Sequence, residues 1–88
     1  MNRTITIPLL LAAALLSTAA VAAPECTQAP KDQWLSEAAM KQLVLDLGYT
    51  IKVFKVSGNC YEIYGKGKDG KNVEIYFDPT DGRIVKQR

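Results

Sequence analysis

The order of apolar and polar residues divides the chain into a hydrophobic N-terminal segment and a patterned remainder. Arg3 is followed by an uncharged apolar stretch at residues 5–16 and by a run of small residues at 17–23. This order of charge, apolar segment and small residues is typical of a cleavable signal peptide. We therefore predict that residues 1–22 are a signal peptide, with cleavage after Ala22.

The alternative to cleavage is a retained membrane anchor. Residues 5–23 carry no charge and approach the length of about 20 residues that a transmembrane helix needs. Pro8 and the hydroxyl residues of this segment favour the signal peptide, and no basic residue follows at once to stop translocation. We expect a periplasmic or secreted protein with no stable membrane insertion after cleavage.

A helical period begins after a polar, proline-interrupted arm at residues 23–35, which we expect to be extended. Ser36 is a favourable N-cap, and Glu37 lies in the first turn, where the helix dipole favours an anion. Apolar residues then recur at intervals of three and four, which predicts a helix of about three turns that ends at Gly48. The apolar stripe comprises Ala39, Met40, Leu43, Val44 and Leu47.

After Gly48 the apolar period shortens to two residues, which indicates β-strands. Turn-forming residues separate the predicted strands, which are residues 49–56, 60–64, 72–78 and 83–86. One helix followed by strands with short connections predicts an α+β domain over residues 36–88. Its helix should pack on a small antiparallel sheet of three to four strands.

Alternation along the strands assigns their side chains to the two faces of the sheet. The helix should cover Tyr61, Ile63, Val73, Ile75 and Phe77. The opposite face should carry the candidate protein-binding residues Glu62, Tyr64, Glu74 and Tyr76, because paired tyrosines offer a large contact area. The alternatives are an ordinary cross-strand aromatic pair or a surface covered by the N-terminal arm.

Two cysteines, Cys26 and Cys60, remain after removal of the signal peptide. In an oxidising compartment such a pair is most simply a disulfide, and a domain of this size needs a constraint because its core alone is marginal. The cysteines lack C-x-x-C spacing and the chain has no His, so redox and zinc roles are not expected. Cys60 shares the parity of the candidate face, so the bond would draw the arm towards it.

The charge balance and the types of residue present argue against most other functions. The chain has 11 Lys and Arg residues against 9 Asp and Glu residues, a balance that gives no electrostatic basis for binding nucleic acid. Without His, a Ser or Cys nucleophile lacks its usual base. We expect Glu62 and Glu74 to stay solvated with ordinary acidity, and Asp78 and Asp81 to form a turn rather than a calcium site. We therefore predict no enzymatic activity, no cofactor and no bound metal.

The assembled motifs resemble a PepSY domain in its short, single-domain exported form. The resemblance covers nearly all of the mature chain, and Asp81 departs from it where a Thr is usual before the glycine. It is carried by Trp34-Leu35-Ser36, Gly48-Tyr49, Gly58-Asn59-Cys60-Tyr61-Glu62-Ile63, Asp69-Gly70-Lys71 and Phe77-Asp78-Pro79-Thr80-Asp81-Gly82-Arg83-Ile84-Val85. The resemblance implies a helix-on-sheet module that acts by contact, in larger proteins as a peptidase-inhibiting or localising segment.

We therefore expect an exported, monomeric, non-enzymatic module that binds or restrains another protein or peptide, with a peptidase as the partner class that the resemblance suggests. The alternative is a structural or sensory accessory that binds a small ligand or a component of the cell envelope.

Overall fold

The computed structural model describes residues 22–88, and the predicted signal peptide apart from Ala22 lies outside the described residues. A 3-10 helix interrupts the arm, and one α-helix and four strands follow it: Lys31–Gln33, α1 (Glu37–Asp46), β1 (Thr50–Ser57), β2 (Cys60–Lys66), β3 (Asn72–Phe77) and β4 (Ile84–Gln87). The strands form one antiparallel sheet in the order β1-β2-β3-β4. The predicted α+β fold is confirmed. Neither helix within residues 22–88 has the length and apolarity to cross a membrane.

The ends of α1 are set by the residues that the sequence indicated. The Ser36 hydroxyl oxygen accepts a hydrogen bond from the backbone N–H of Ala39 at 3.0 Å, which satisfies one of the free donors of the first turn. Beyond the C-cap residue Leu47, Gly48 has a φ of 99°. This left-handed conformation suits glycine and ends the helix, so the chain can turn directly into β1.

The core lies between α1 and the helix-facing side of the sheet. Met40 and Val44, one helical turn apart, are fully buried there. They pack against the strand residues that alternation assigned to this side, namely Tyr61, Ile63, Ile75 and Phe77, with Val73 partly buried at the margin. Ala39 and Leu47 are exposed, so their predicted place in the apolar stripe is wrong. The helix therefore buries fewer residues than the predicted apolar stripe contains.

The segment before α1, the second strand and the closing turn meet at one end of this core. The backbone N–H of Leu35 donates to the carbonyl of Pro79 at 2.8 Å, and the Tyr61 hydroxyl donates to the carbonyl of Leu35 at 2.7 Å. The Trp34 ring packs edge-on against Tyr61 with centroids 5.3 Å apart. Segments that are distant in sequence therefore pack together around Tyr61.

Both carboxylates of the closing turn, Asp78 and Asp81, accept hydrogen bonds from nearby residues of the same segment, as expected for a turn. Asp78 accepts hydrogen bonds from the backbone N–H and the hydroxyl of Thr80 at 2.9 and 2.6 Å, and from the Arg83 guanidinium at 3.2 Å. Burial alone would raise the pKa of Asp78, but the Thr80 hydrogen bonds and the Arg83 charge outweigh it and lower the pKa. Asp81 accepts from the backbone N–H of Arg83 at 2.9 Å.

The arm is attached to the sheet by the predicted disulfide between Cys26 and Cys60, whose Cα atoms are 5.2 Å apart. Asn59 strengthens this attachment. Its side-chain oxygen accepts from the backbone N–H of Cys26 at 2.8 Å, and its amide nitrogen donates to the Thr27 carbonyl and to the Glu25 carboxylate, both at 2.6 Å. Covalent and hydrogen bonds therefore act together at the start of β2.

Reduction of the disulfide should lower the melting temperature by about 15 to 30 °C. Closing a loop of this length stabilises a fold by about 4 kcal/mol in the chain-entropy model, and about 1 kcal/mol shifts a domain of this size by roughly 4 to 8 °C. Calorimetry with and without reductant measures the shift, and the double variant Cys26→Ser/Cys60→Ser should reproduce it.

An Asn59→Ala variant with the disulfide intact is the matched comparison and should show a smaller loss, because only hydrogen bonds are removed. Titration of the unfolded, unreduced protein with a thiol reagent is the direct check. Two reactive thiols per chain would contradict the prediction.

Candidate functional site

Strands β2 and β3 bring the four candidate residues together on the face of the sheet opposite α1, here called the outer face. The strand register pairs Glu62 with Tyr76 and Tyr64 with Glu74. Because side chains alternate along each strand, all four lie on one side of the sheet. The assignment of these residues as a protein-binding face stays a prediction.

Glu74 is the central acceptor of this cluster. The hydroxyls of Tyr64 and Tyr76 donate to its Oε2 at 2.9 and 3.1 Å, and Nε of Arg88 donates to its Oε1 at 2.8 Å. The neighbouring Glu62 carboxyl group, followed by the hydrogen bond from Arg88, lowers the pKa of Glu74 to about 2. Glu74 is therefore the carboxylate that carries the negative charge.

Glu62 lies in the opposite environment, because it is only 1% exposed. Burial is the main cause that raises the pKa of Glu62, and the neighbouring Glu74 carboxylate raises it further. Among residues 22–88 the buried Oε2 atom of Glu62 has no hydrogen-bond partner. The half-exposed Lys55 ammonium lies 3.9 Å from Oε1, too far for a hydrogen bond. The pKa values of the two neighbouring carboxyl groups are therefore shifted in opposite directions.

The expectation that Glu62 and Glu74 stay solvated with ordinary acidity is wrong, because Glu62 is buried and Glu74 is bound by both tyrosines and Arg88. One end of the outer face is covered. Cys26, Cys60 and Tyr76 form a second buried cluster, against which Ala23 and Val85 pack. Tyr76 is 3% exposed, and desolvation and the hydrogen bond to Glu74 raise its pKa to about 12. The interpretation of this face as covered by the arm holds for the Tyr76 end.

The other end of the outer face remains accessible at Tyr64, which is 38% exposed. Val53 of β1 is its cross-strand partner and is 42% exposed, and the Lys55 ammonium lies 5.6 Å from the centroid of the Tyr64 ring. We call these three residues the Tyr64 patch. The hydrogen bond to Glu74 is the main cause that raises the pKa of Tyr64 to about 12, so its hydroxyl remains a donor.

The geometry favours a fixed contact surface over acid–base chemistry at the two carboxylates. Glu62 is buried, and the oxygens of Glu74 already accept three side-chain hydrogen bonds. No group of three or more His, Cys, Asp or Glu residues suited to a metal ion occurs within residues 22–88.

The sequence analysis predicted no contact with the outer face for Arg88 and none with the arm for Asn59. Arg88 pairs with Glu74 through both backbone groups, at 2.7 and 2.9 Å, as well as through its side chain. Extending the alternation of β4 beyond residue 86 would have indicated that contact. Asn59 was interpreted as a turn residue, and its position beside Cys60 was the one local sign of a role in holding the arm.

We predict that Glu62→Gln stabilises the protein more at pH 8 than at pH 4. The pKa of Glu62 is raised above its unfolded value of about 4.3, so the folded state binds the extra proton and wild-type stability falls as the pH rises from about 4 through the folded pKa. Glu74 acts oppositely, and its contribution is lost as the pH falls from about 4 to about 2. Glutamine has nearly the same shape and cannot ionise.

The measurement is the melting temperature of wild type and variant between pH 2 and pH 9. Asp32→Asn, which changes an exposed carboxylate of the arm, is the control and should show no such growing difference. A Glu62→Gln effect of equal size at every pH would show that Glu62 ionises normally in the folded protein.

Comparison with known proteins places this fold in a family. A PepSY family model described as peptidase propeptide and YPEB domain matches residues 6–88 and so spans the whole described structure. No curated protein and no solved structure matches the chain. Domains of this family are in general propeptide-like or regulatory modules rather than catalytic ones. From its motifs, its fold and this match, the chain belongs to the PepSY family of peptidase propeptide and YPEB domains.

Proposed function

We propose that this protein is an exported regulatory module that binds and restrains another protein through the Tyr64 patch. The observation that carries the proposal is the exposed pair Val53 and Tyr64, neighbours across β1 and β2 on a face whose other end is covered. An aromatic ring beside a branched aliphatic side chain offers a contact of the kind that dominates protein interfaces.

The patch is held in place before any partner arrives. The Tyr64 hydroxyl is bound by Glu74, and Glu74 is in turn bound by Arg88. Side chains that are already ordered lose little conformational entropy on binding, so more of the contact energy contributes to affinity. The Lys55 ammonium beside the ring adds a charge that can select among partners.

Family membership and the disulfide support the cellular setting of the proposal. Propeptide-like modules act by contact, which makes a peptidase the proposed partner class. A disulfide suits an oxidising compartment such as the periplasm or the exterior of the cell.

A second candidate function is the binding of a small ligand, favoured by a cleft of about 390 Å³ between the end of α1 and the β2–β3 loop. The volume lies within the range of about 300 to 1,000 Å³ that small-molecule sites occupy. The cleft is lined by Leu47, Tyr49, Gly67, Lys68, Asp69, Val73 and Gln87. None of these residues belongs to the Tyr64 patch, so mutations can separate the two functions.

Tyr64→Ser should weaken capture of the partner by about tenfold or more while the fold is retained, since truncating an aromatic anchor at an interface removes at least about 1.4 kcal/mol. Ile84→Ser is the matched control, because Ile84 has the same 38% exposure and lies on β4. The measurement is affinity capture from a cell-envelope extract, followed by mass spectrometry and a peptidase assay of the eluate with and without added protein.

Equal capture by Tyr64→Ser and wild type would remove the patch from the proposal. Recovery of a small molecule in place of a protein, with its binding lost in Lys68→Ala, would favour the second candidate. Circular dichroism of each variant ensures that lost capture does not reflect lost folding.

A further inference from the structure

The first strand forms the long free edge of the sheet. It spans eight residues, and no strand within residues 22–88 pairs with its outer side. The opposite edge strand, β4, has four residues. A long edge strand presents unpaired backbone donors and acceptors that can template pairing with another chain.

The hairpin turn determines which backbone groups of β1 are unpaired. Two turn residues separate Ser57 from its partner Cys60, which makes these two a hydrogen-bonded pair at the end of the ladder. Hydrogen-bonded and non-hydrogen-bonded pairs alternate in an antiparallel ladder. The N–H and C=O groups of Phe54 and Val56 therefore point away from β2 and are the template for an added strand.

The surroundings of this edge are basic. The exposed lysines contributed by α1, β1 and β2 are Lys41, Lys52, Lys55 and Lys66. The Glu37 carboxylate lies 3.6 Å from the Lys41 ammonium. Glu62 lies 3.9 Å from the Lys55 ammonium and is buried, so these two carboxyl groups stand against four lysines. The edge thus carries a net positive charge that an acidic segment complements.

The same lysines argue against a second copy of this chain as the occupant. Pairing β1 with β1 of another molecule would bring Lys52 and Lys55 of one copy against those of the other, and like charges across a strand pair are destabilising. Val53 and Val56, which are both 42% exposed, lie on opposite faces of β1 and offer contacts to apolar residues on either side of an added strand.

We propose that β1 receives an extended acidic segment of the partner protein, which adds to the sheet as a fifth strand. Val53 belongs both to this edge and to the Tyr64 patch, so the added strand would continue the patch across the sheet. The inference deepens the proposed function and rests on it, because it names the part of the partner that is bound. Backbone hydrogen bonds would supply affinity, and the lysines would supply selectivity.

The probe is a capped nine-residue peptide of alternating Glu and Val. Its binding should slow hydrogen exchange of the Phe54 and Val56 amides and should weaken as salt is added. The same peptide N-methylated at alternate residues should bind about tenfold more weakly, because it cannot complete the ladder. A peptide with Lys in place of Glu should leave those amides unprotected.

Variants of the protein test the same contacts from the other side. Val56→Pro deletes one outward N–H without removing a β1–β2 hydrogen bond and should weaken peptide binding about fivefold, whereas Val56→Thr should not. Lys52→Gln/Lys55→Gln should reduce both affinity and salt dependence, in contrast to the distant pair Lys71→Gln/Lys86→Gln. If Val56→Pro unfolds, the N-methylated peptide decides the question on wild-type protein.

The inference is overturned if the acidic peptide leaves the Phe54 and Val56 amides unprotected, if the Lys peptide binds equally well, or if β1 pairs with a second copy in sedimentation experiments. If the peptide does not bind but capture of the partner still depends on Tyr64, this inference is overturned and the proposed function stands. If the peptide protects the two amides but Tyr64→Ser does not weaken capture, binding at the β1 edge is supported and binding through the Tyr64 patch is not.

Discussion

The bond between Cys26 and Cys60 is the constraint that holds the N-terminal arm on the outer face of the sheet. It places the arm where Ala23 and the two cysteines pack against Tyr76. Desolvation is the main cause that raises the pKa of Tyr76, so its hydroxyl remains a donor to Glu74. A covalent constraint at residue 26 therefore supports a hydrogen bond of the outer face.

The two faces of the sheet contribute to the structure in different ways. The helix-facing side supplies stability through apolar packing around Met40 and Val44. The outer side holds a polar network that burial makes unfavourable unless its members are paired. Glu74 accepts hydrogen bonds from Tyr76 and Arg88 as well as from Tyr64, and so positions the Tyr64 hydroxyl. This carboxylate thus supports the orientation of an exposed ring.

Local sequence rules were sufficient to predict the helix, the strands and the face of the sheet on which each strand residue lies. Ser36 and Gly48 bounded the helix, and alternation placed Tyr61 and Glu62 on opposite faces, because capping and the strand period depend on neighbouring residues. The cover over Tyr76 was not predictable in this way, since it depends on an arm that is distant in sequence. The hydrogen bonds of Asn59 depend on the position of the same arm. Leu47 is exposed because the helix ends before it, and sequence periodicity does not show where the buried part of a stripe ends.

The disulfide also closes a covalent ring that contains residues 27–59 and hence all of α1 and β1. A single hydrolysed peptide bond inside this ring leaves the two pieces of the chain joined through sulfur. Release of a fragment from that segment requires either a second cut or a reductant. In contact with a proteolytic enzyme, the protein can therefore be nicked there and still remain one molecule.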